Sequence, residues 1–153
     1  MWPFKQKPST CSCFPIGEYC FDMQIETIKG LKELSSNEYA VMNKTFKGEQ
    51  IFHAPPVMFL GRSWKIMLGT VYGRAYKIAA YLELHDKNEA NRAALGTLYY
   101  CKQQLGKPTE QKTGFFFWKT VDGNVLLQTA ETTEGFGINL FVTSSTVNNF
   151  EYV

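Results

Sequence analysis

Residues 63–84, which read SWKIMLGTVYGRAYKIAAYLEL, alternate between apolar and other side chains. In the first part Trp64 and Leu68 fall on the same face of an extended chain, and in the second part Ile78 and Leu82 do so. A period of two is typical of strands that have an inner and an outer side. The stretch therefore predicts two strands, at 63–71 and 74–84.

The same alternation predicts further strands on both sides of this stretch. The pair Asp122-Gly123 favours a tight hairpin, because a type I′ turn needs positive φ at both central residues. The double proline Pro55-Pro56 interrupts the pattern, so that two short strands are predicted around it. The additional predicted strands are Gln50–His53, Val57–Leu60, Gly114–Thr120, Asn124–Thr132 and Gly137–Ser144.

A long helix is predicted from residue 87 to residue 105. Asp86 and Glu89 have the spacing of a capping box, with aspartate in place of the usual serine or threonine. Gly106 can adopt the left-handed conformation that ends many helices, and Pro108 prevents continuation of the helix.

The N-terminal part predicts a leader and shorter helices. Residues 1–17 are predicted to form a flexible leader, followed by a single globular domain at 18–153. One helix is predicted from Asp22 to Leu34, and the pair Ser35 and Glu38 predicts another that ends near Met42. The resulting class is α+β: an antiparallel β-sheet of about six or seven strands, with one long helix and one or two shorter helices packed on it.

Two segments of the chain resemble each other. Residues 70–75 read TVYGRA and residues 120–125 read TVDGNV, and each segment follows a Trp-Lys pair and a predicted helix. The similarity suggests two pseudo-repeated halves, each made of a helix and three strands. The alternative is a chance match between hairpins.

The composition disfavours several classes of protein. A chain of 153 residues with 44% hydrophobic and 20% charged residues is typical of one globular domain. The formal net charge is +2 and the basic residues form no run, so no nucleic-acid partner is expected. No stretch approaches the ~20 apolar residues of a membrane span, and no signal peptide is recognisable. A cytoplasmic location without membrane contact is the expectation.

The cysteines are the candidates for a metal or redox site. Cys11, Cys13 and Cys20 form a C-x-C-x6-C cluster, whereas structural zinc sites usually carry two ligand pairs at other spacings. Cys101 lies in the predicted long helix and is expected to be a small buried side chain. The cluster is therefore expected to consist of reduced thiols, with no bound metal and no cofactor; metal binding and a disulfide are the alternatives.

No motif in the sequence specifies a reaction, and no catalytic residue is assigned. His53 precedes the double proline and follows Glu49 by four residues, so the two could line a pocket between sheet and helix. The simpler interpretation is an exposed imidazole at a strand end. His85 adjoins Asp86, which already serves as a helix cap. Nucleophile-elbow, P-loop and EF-hand patterns are absent from the sequence.

The most unusual string is GFFFW at residues 114–118. Neighbouring residues of a strand point to opposite faces, so one aromatic pair enters the core and the other pair needs a cover. The cover can be the long helix or the leader, a protein partner, or a small ligand. Phe116 and Trp118 are taken as the pair on the binding face. The function predicted is a non-enzymatic binding or protein-interaction module that uses this aromatic face or a strand edge, with homodimerisation as its simplest form. The alternative is a small-molecule-binding protein or an enzyme with a pocket near His53.

Overall fold

The computed structural model describes residues 14–34 and 46–152 and contains one antiparallel sheet of eight strands. The strand order is β1-β2-β3-β4-β8-β7-β6-β5. Helix α1 connects the two halves of the sheet, and two short 3-10 turns flank them at Ile25–Thr27 and Ser145–Asn149. The elements are β1 (Lys32–Glu33), β2 (Glu49–Phe59), β3 (Arg62–Val71), β4 (Arg74–Leu84), α1 (Lys87–Leu105), β5 (Glu110–Lys112), β6 (Phe115–Lys119), β7 (Gly123–Thr132) and β8 (Gly135–Ser144).

The α+β class and the antiparallel sheet are confirmed, but the strand count is higher than predicted. The short edge strands β1 and β5 carry no alternating apolar pattern, and their side chains are exposed. Sequence periodicity cannot detect strands that bury nothing. Conversely, the strands predicted at Gln50–His53 and Val57–Leu60 form one continuous strand, β2.

Strand β2 runs through Pro55-Pro56, so the predicted break is wrong. The register of β2 on β3 shifts between Ala54 and Val57, which marks a bulge at the two prolines. Strand β1 pairs only with Phe52 and His53, so this part of β2 has no described strand on its outer side. An edge position tolerates proline because no ladder hydrogen bond needs its missing N–H group.

The hydrophobic core lies on one face of the sheet, where α1 packs against β4 and β8. The side chain of Asp86 accepts a hydrogen bond from the Glu89 backbone N–H at 2.8 Å, which confirms the predicted start of the helix. Gly106, with φ of 81°, ends it. No helix in the described ranges is long and apolar enough to cross a membrane. The largest fully buried core side chains include Trp64, Trp118, Leu68, Ile78, Ile138 and Leu140.

The segment 14–34 packs on the same core and contains no α-helix. Phe14 and Ile16 are buried, so the last residues of the predicted leader belong to the domain. The predicted helix from Asp22 to Leu34 is wrong. The backbone N–H of Asp22 donates to the carbonyl of Ala75 at 2.6 Å, and Ala75 donates back to Met23 at 3.0 Å. Contact with β4 thus satisfies backbone groups that a helix would have satisfied internally. The predicted helix 35–42, the rest of the leader and Cys11 and Cys13 lie outside the described residues.

The tight turns occur at positions other than the predicted one. Neither Asp122 nor Gly123 has a positive φ, so the predicted type I′ turn is wrong. Leu60-Gly61 has φ values of 54° and 77°, and Tyr72-Gly73 has 51° and 81°, as type I′ turns require. Gly123 has a different role, because a Cβ atom there would lie 2.2 Å from the carbonyl oxygen of Thr143.

The predicted helix–three-strand repeat is not found in the described residues. The sheet is divided instead into two four-stranded meanders, β1–β4 and β5–β8, which meet where β4 pairs with β8. The two segments compared in the sequence form unlike turns, since only Tyr72-Gly73 has positive φ at both positions. A 3-10 turn, Ile25–Thr27, stands where the first helix was predicted.

The turn at Leu60 gives a stability prediction. The left-handed conformation is sterically unfavourable for leucine, whereas asparagine adopts it readily. We expect Leu60→Asn to raise the free energy of unfolding by about 0.5–1 kcal/mol, as measured by urea denaturation. Leu95→Asn is the control, because Leu95 is exposed on α1 and asparagine there should cost roughly 0.5 kcal/mol. Destabilisation by Leu60→Asn would contradict the assigned turn.

Candidate functional site

Phe116 and Trp118 lie on the core side of the sheet, so the prediction that they form the binding face is corrected. Trp118 is only 2% exposed. Its indole N–H donates to the carbonyl oxygen of Gly106 at 2.9 Å, directly after α1. Phe116 stacks on Trp118 with ring centroids 6.5 Å apart. The helix end therefore covers the pair that was expected to face a partner.

The opposite face of the sheet carries a row of five partly exposed apolar side chains, one from each of five adjacent strands. Met67 of β3 pairs with Ala79 of β4, and Ala79 pairs with Phe141 of β8. Phe141 pairs with Leu126 of β7, and Leu126 pairs with Phe117 of β6. We call these five residues the apolar row. None of them is among the side chains that form or pack on the core around α1.

A second row runs beside the apolar row and is more polar. Across β4, β8, β7 and β6, Tyr81 pairs with Asn139, Asn139 with Gln128, and Gln128 with Phe115. The tyrosine, asparagine and phenylalanine are partly exposed, and Gln128 is exposed. Together with the apolar row and the lysines described next, these residues form what we call the open face.

Lysines border the open face on both sides of the apolar row. Lys65 pairs with Tyr81, and Lys112 pairs with Phe115, at the two ends of the second row. Lys77 lies two residues before Ala79 on β4, and Lys119 lies two residues after Phe117 on β6. Both therefore stand on the other side of the apolar row. The border is therefore predominantly positive.

Two of these lysines contact aromatic rings of the open face. The Lys77 ammonium lies 5.3 Å from the centroid of Phe141, and that of Lys112 lies 5.9 Å from Phe115. Both distances fit cation–π contacts. Burial lowers the pKa of Lys77, and the negative charge of Glu49 partly offsets that effect. A half-buried ammonium thus adjoins the centre of the row.

A satellite cluster bounds the open face at the turn between β3 and β4. Glu49 is buried in it and accepts hydrogen bonds from the Tyr76 hydroxyl and from the Phe46 backbone N–H, the latter at 3.0 Å. Burial, followed by the hydrogen bond to Glu49, raises the pKa of Tyr76. Glu49 therefore has a structural role. The apolar members of the cluster are Phe46, Val71, Tyr76, Val147 and Phe150.

His53 and Glu49, the two residues expected to line a pocket between sheet and helix, are directed to different parts of the molecule. His53 is exposed and pairs with Met67, beyond the end of the apolar row. Four residues of strand separate it from Glu49, which corresponds to about 13 Å. Glu49 is directed into the satellite cluster instead.

A cavity of about 280 Å³ lies between α1 and the far ends of β7 and β8. Its walls include Lys87, Asn91, Glu131 and Phe136, and neither His53 nor Glu49 lines it. This cavity is therefore not the pocket predicted near His53.

The two described cysteines, Cys20 and Cys101, differ in oxidation state. Cys20 is disulfide-bonded, so the expectation of a reduced thiol is wrong for this residue. Cys101 is a free thiol, and its burial under the sheet raises its pKa to about 12, so that it is a poor nucleophile. Within residues 14–34 and 46–152, no group of three or more His, Cys, Asp or Glu side chains is placed to hold a metal ion.

The sequence predicts a strand with an aromatic pair on each side, but it does not show that Phe116 and Trp118 are the buried pair. Alternation separates Phe115 and Phe117 from Phe116 and Trp118 without showing which pair is inside. One signal was present: a buried tryptophan needs an acceptor for its N–H, and the helix end nearby offers free carbonyls. The chain matches no protein-family model, no curated protein and no solved structure.

Proposed function

We propose that the protein is a non-enzymatic interaction module whose open face binds a protein partner. The observation that carries the proposal is the apolar row, whose five side chains lie on the face opposite α1. Sheets normally bury their apolar faces against another layer. Contiguous exposed apolar surface usually marks an interaction site.

The composition of the open face supports a protein partner. Aromatic side chains are enriched at protein interfaces, and polar side chains commonly surround the apolar centre. Phe117 and Phe141 lie in the row, Tyr81 and Phe115 lie beside it, and amide and lysine side chains complete the surface. This is the arrangement of an apolar centre with a polar rim.

The sheet edges support the proposal less well than the face does. The three residues of β5, Glu110 to Lys112, are all exposed, and its ends are charged. Short, charged edge strands discourage pairing with another chain. The cavity beside α1 favours the small-molecule alternative, but about 280 Å³ is at the lower end of ligand pockets.

The proposal is tested by a double substitution on the open face, Phe117→Thr with Leu126→Thr. Threonine favours strands, so the sheet should persist while the centre of the apolar row is lost. In affinity capture followed by mass spectrometry, we expect wild type to retain a defined partner and the variant to lose it. Circular dichroism and thermal melting verify that the variant remains folded.

The matched control changes two apolar side chains on the other side of the molecule. Leu95 and Tyr99 are exposed on α1, and replacing both with glutamine keeps the helix propensity. This control should retain the partner. If the folded open-face variant retains the same partners as wild type, the proposed function is wrong.

A further inference from the structure

We propose that the open face binds an amphipathic α-helix with acidic flanks, laid along the apolar row and across the strands. This inference rests on the proposed function and specifies the partner's chemistry. The observation that carries it is the position of four lysines along the two sides of the apolar row. Lys77 and Lys119 lie on one side of the row, and Lys65 and Lys112 lie on the other.

The length of the row fits a short helix. The row crosses from β3 to β6 through β4, β8 and β7, which are neighbours in the sheet. Four strand spacings of about 4.8 Å give a length of about 19 Å. A helix rises about 1.5 Å per residue, so about 13 residues cover the row. An apolar stripe at positions i, i+3, i+4 and i+7 would contact it throughout.

The width between the lysines fits the width of that helix. Side chains on one face of a strand repeat about every 7 Å, so the lysines stand about 7 Å from the axis of the row. An α-helix with its side chains has a radius of about 5–6 Å. Carboxylates on both flanks of a docked helix would therefore lie within reach of Lys77 and Lys119 on one side and of Lys65 on the other.

The charge of the face selects among possible occupants. Glu110 pairs with Phe117 at the β6 end of the row, and Glu83 lies on β4 two residues beyond Tyr81, whereas the four lysines stand along the two sides of the row. A second copy docked face to face would bring these lysines together, which is unfavourable. A nucleic acid is disfavoured because the formal net charge of the chain is only +2 and its basic residues form no run. Acidic side chains of a docked helix can instead form ion pairs with the lysines.

The test uses two fluorescent synthetic peptides of about 16 residues, a length that covers the row. Both carry the same leucine and phenylalanine stripe, and the flanking positions are glutamate in one peptide and lysine in the other. By fluorescence anisotropy with the whole protein, we expect the glutamate peptide to bind about ten-fold more tightly or better, since several exposed ion pairs contribute modestly. Added salt should reduce the difference.

Charge reversal on the protein provides the second arm. Lys65→Glu combined with Lys119→Glu should abolish the preference between the two peptides, because it leaves two lysines and two glutamates along the sides of the row. Lys107→Glu is the control, because Lys107 is exposed and follows Gly106 on the α1 side. This control should leave the preference unchanged. Circular dichroism verifies that each variant is folded.

Several outcomes would overturn the inference. Equal binding of the two peptides would show that charge does not select the partner. Binding of neither peptide, together with binding of an oligothymidylate, would assign the face to nucleic acid. Dimerisation that the Phe117→Thr and Leu126→Thr substitutions abolish would assign it to a second copy. Loss of the captured protein partner on those substitutions would still support the proposed function, so the two proposals can fail separately.

Discussion

The Trp118→Ala variant is expected to lose about 3–5 kcal/mol of unfolding free energy, a large part of the stability of a domain of this size. The indole is 2% exposed, stacks on Phe116 and donates to the carbonyl oxygen of Gly106. Its removal leaves a cavity between α1 and β6 and deprives a helix-end carbonyl of its donor. Urea denaturation followed by circular dichroism measures the loss.

The matched control for this experiment is Phe117→Ala, the preceding residue on the same strand. Phe117 is partly exposed on the open face, so its removal should cost clearly less stability. Trp118→Phe should fall between the two, because it keeps an aromatic ring and loses the hydrogen bond. If Trp118→Ala kept the stability of wild type and lost only partner binding, the assignment of this ring to the core would be wrong.

Glu49→Ala is expected to cost about 2–4 kcal/mol of unfolding free energy, since it leaves buried donors without an acceptor. The carboxylate is 5% exposed and accepts from the Tyr76 hydroxyl and from the Phe46 N–H. The substitution would loosen the satellite cluster that closes one end of the open face. Thermal and urea denaturation measure the change.

A double-mutant cycle with Tyr76→Phe separates the hydrogen bond from general effects of burial. The two substitutions together should cost less than the sum of their separate costs, because each removes one partner of the same bond. Glu151→Ala is the surface control. Glu151 forms an exposed ion pair with Lys47, and such pairs contribute at most about 1 kcal/mol. Additive costs at Glu49 and Tyr76 would show that the hydrogen bond contributes little.

The sequence predicted those elements whose signals are local. Strands β3 and β4 follow the alternation of residues 63–84, and α1 begins at the predicted cap of Asp86 and ends at Gly106. Segments stabilised by distant partners were missed. The residues after Asp22 bond to β4 instead of forming a helix, and β2 passes through its prolines because that part of it lies at an edge.

The aromatic strand β6 shows the same division. The sequence alone determined that the strand at 114–118 has two aromatic sides, because successive side chains of a strand point in opposite directions. Only the tertiary structure decided which side is covered. The end of α1 brings the Gly106 carbonyl to the Trp118 indole, which places Phe116 and Trp118 inside and leaves Phe115 and Phe117 on the open face. Likewise, the apolar row combines side chains from β3 and β4 with side chains from β6, β7 and β8, which lie in the other half of the chain. Only the pairing of β4 with β8 brings these two groups together.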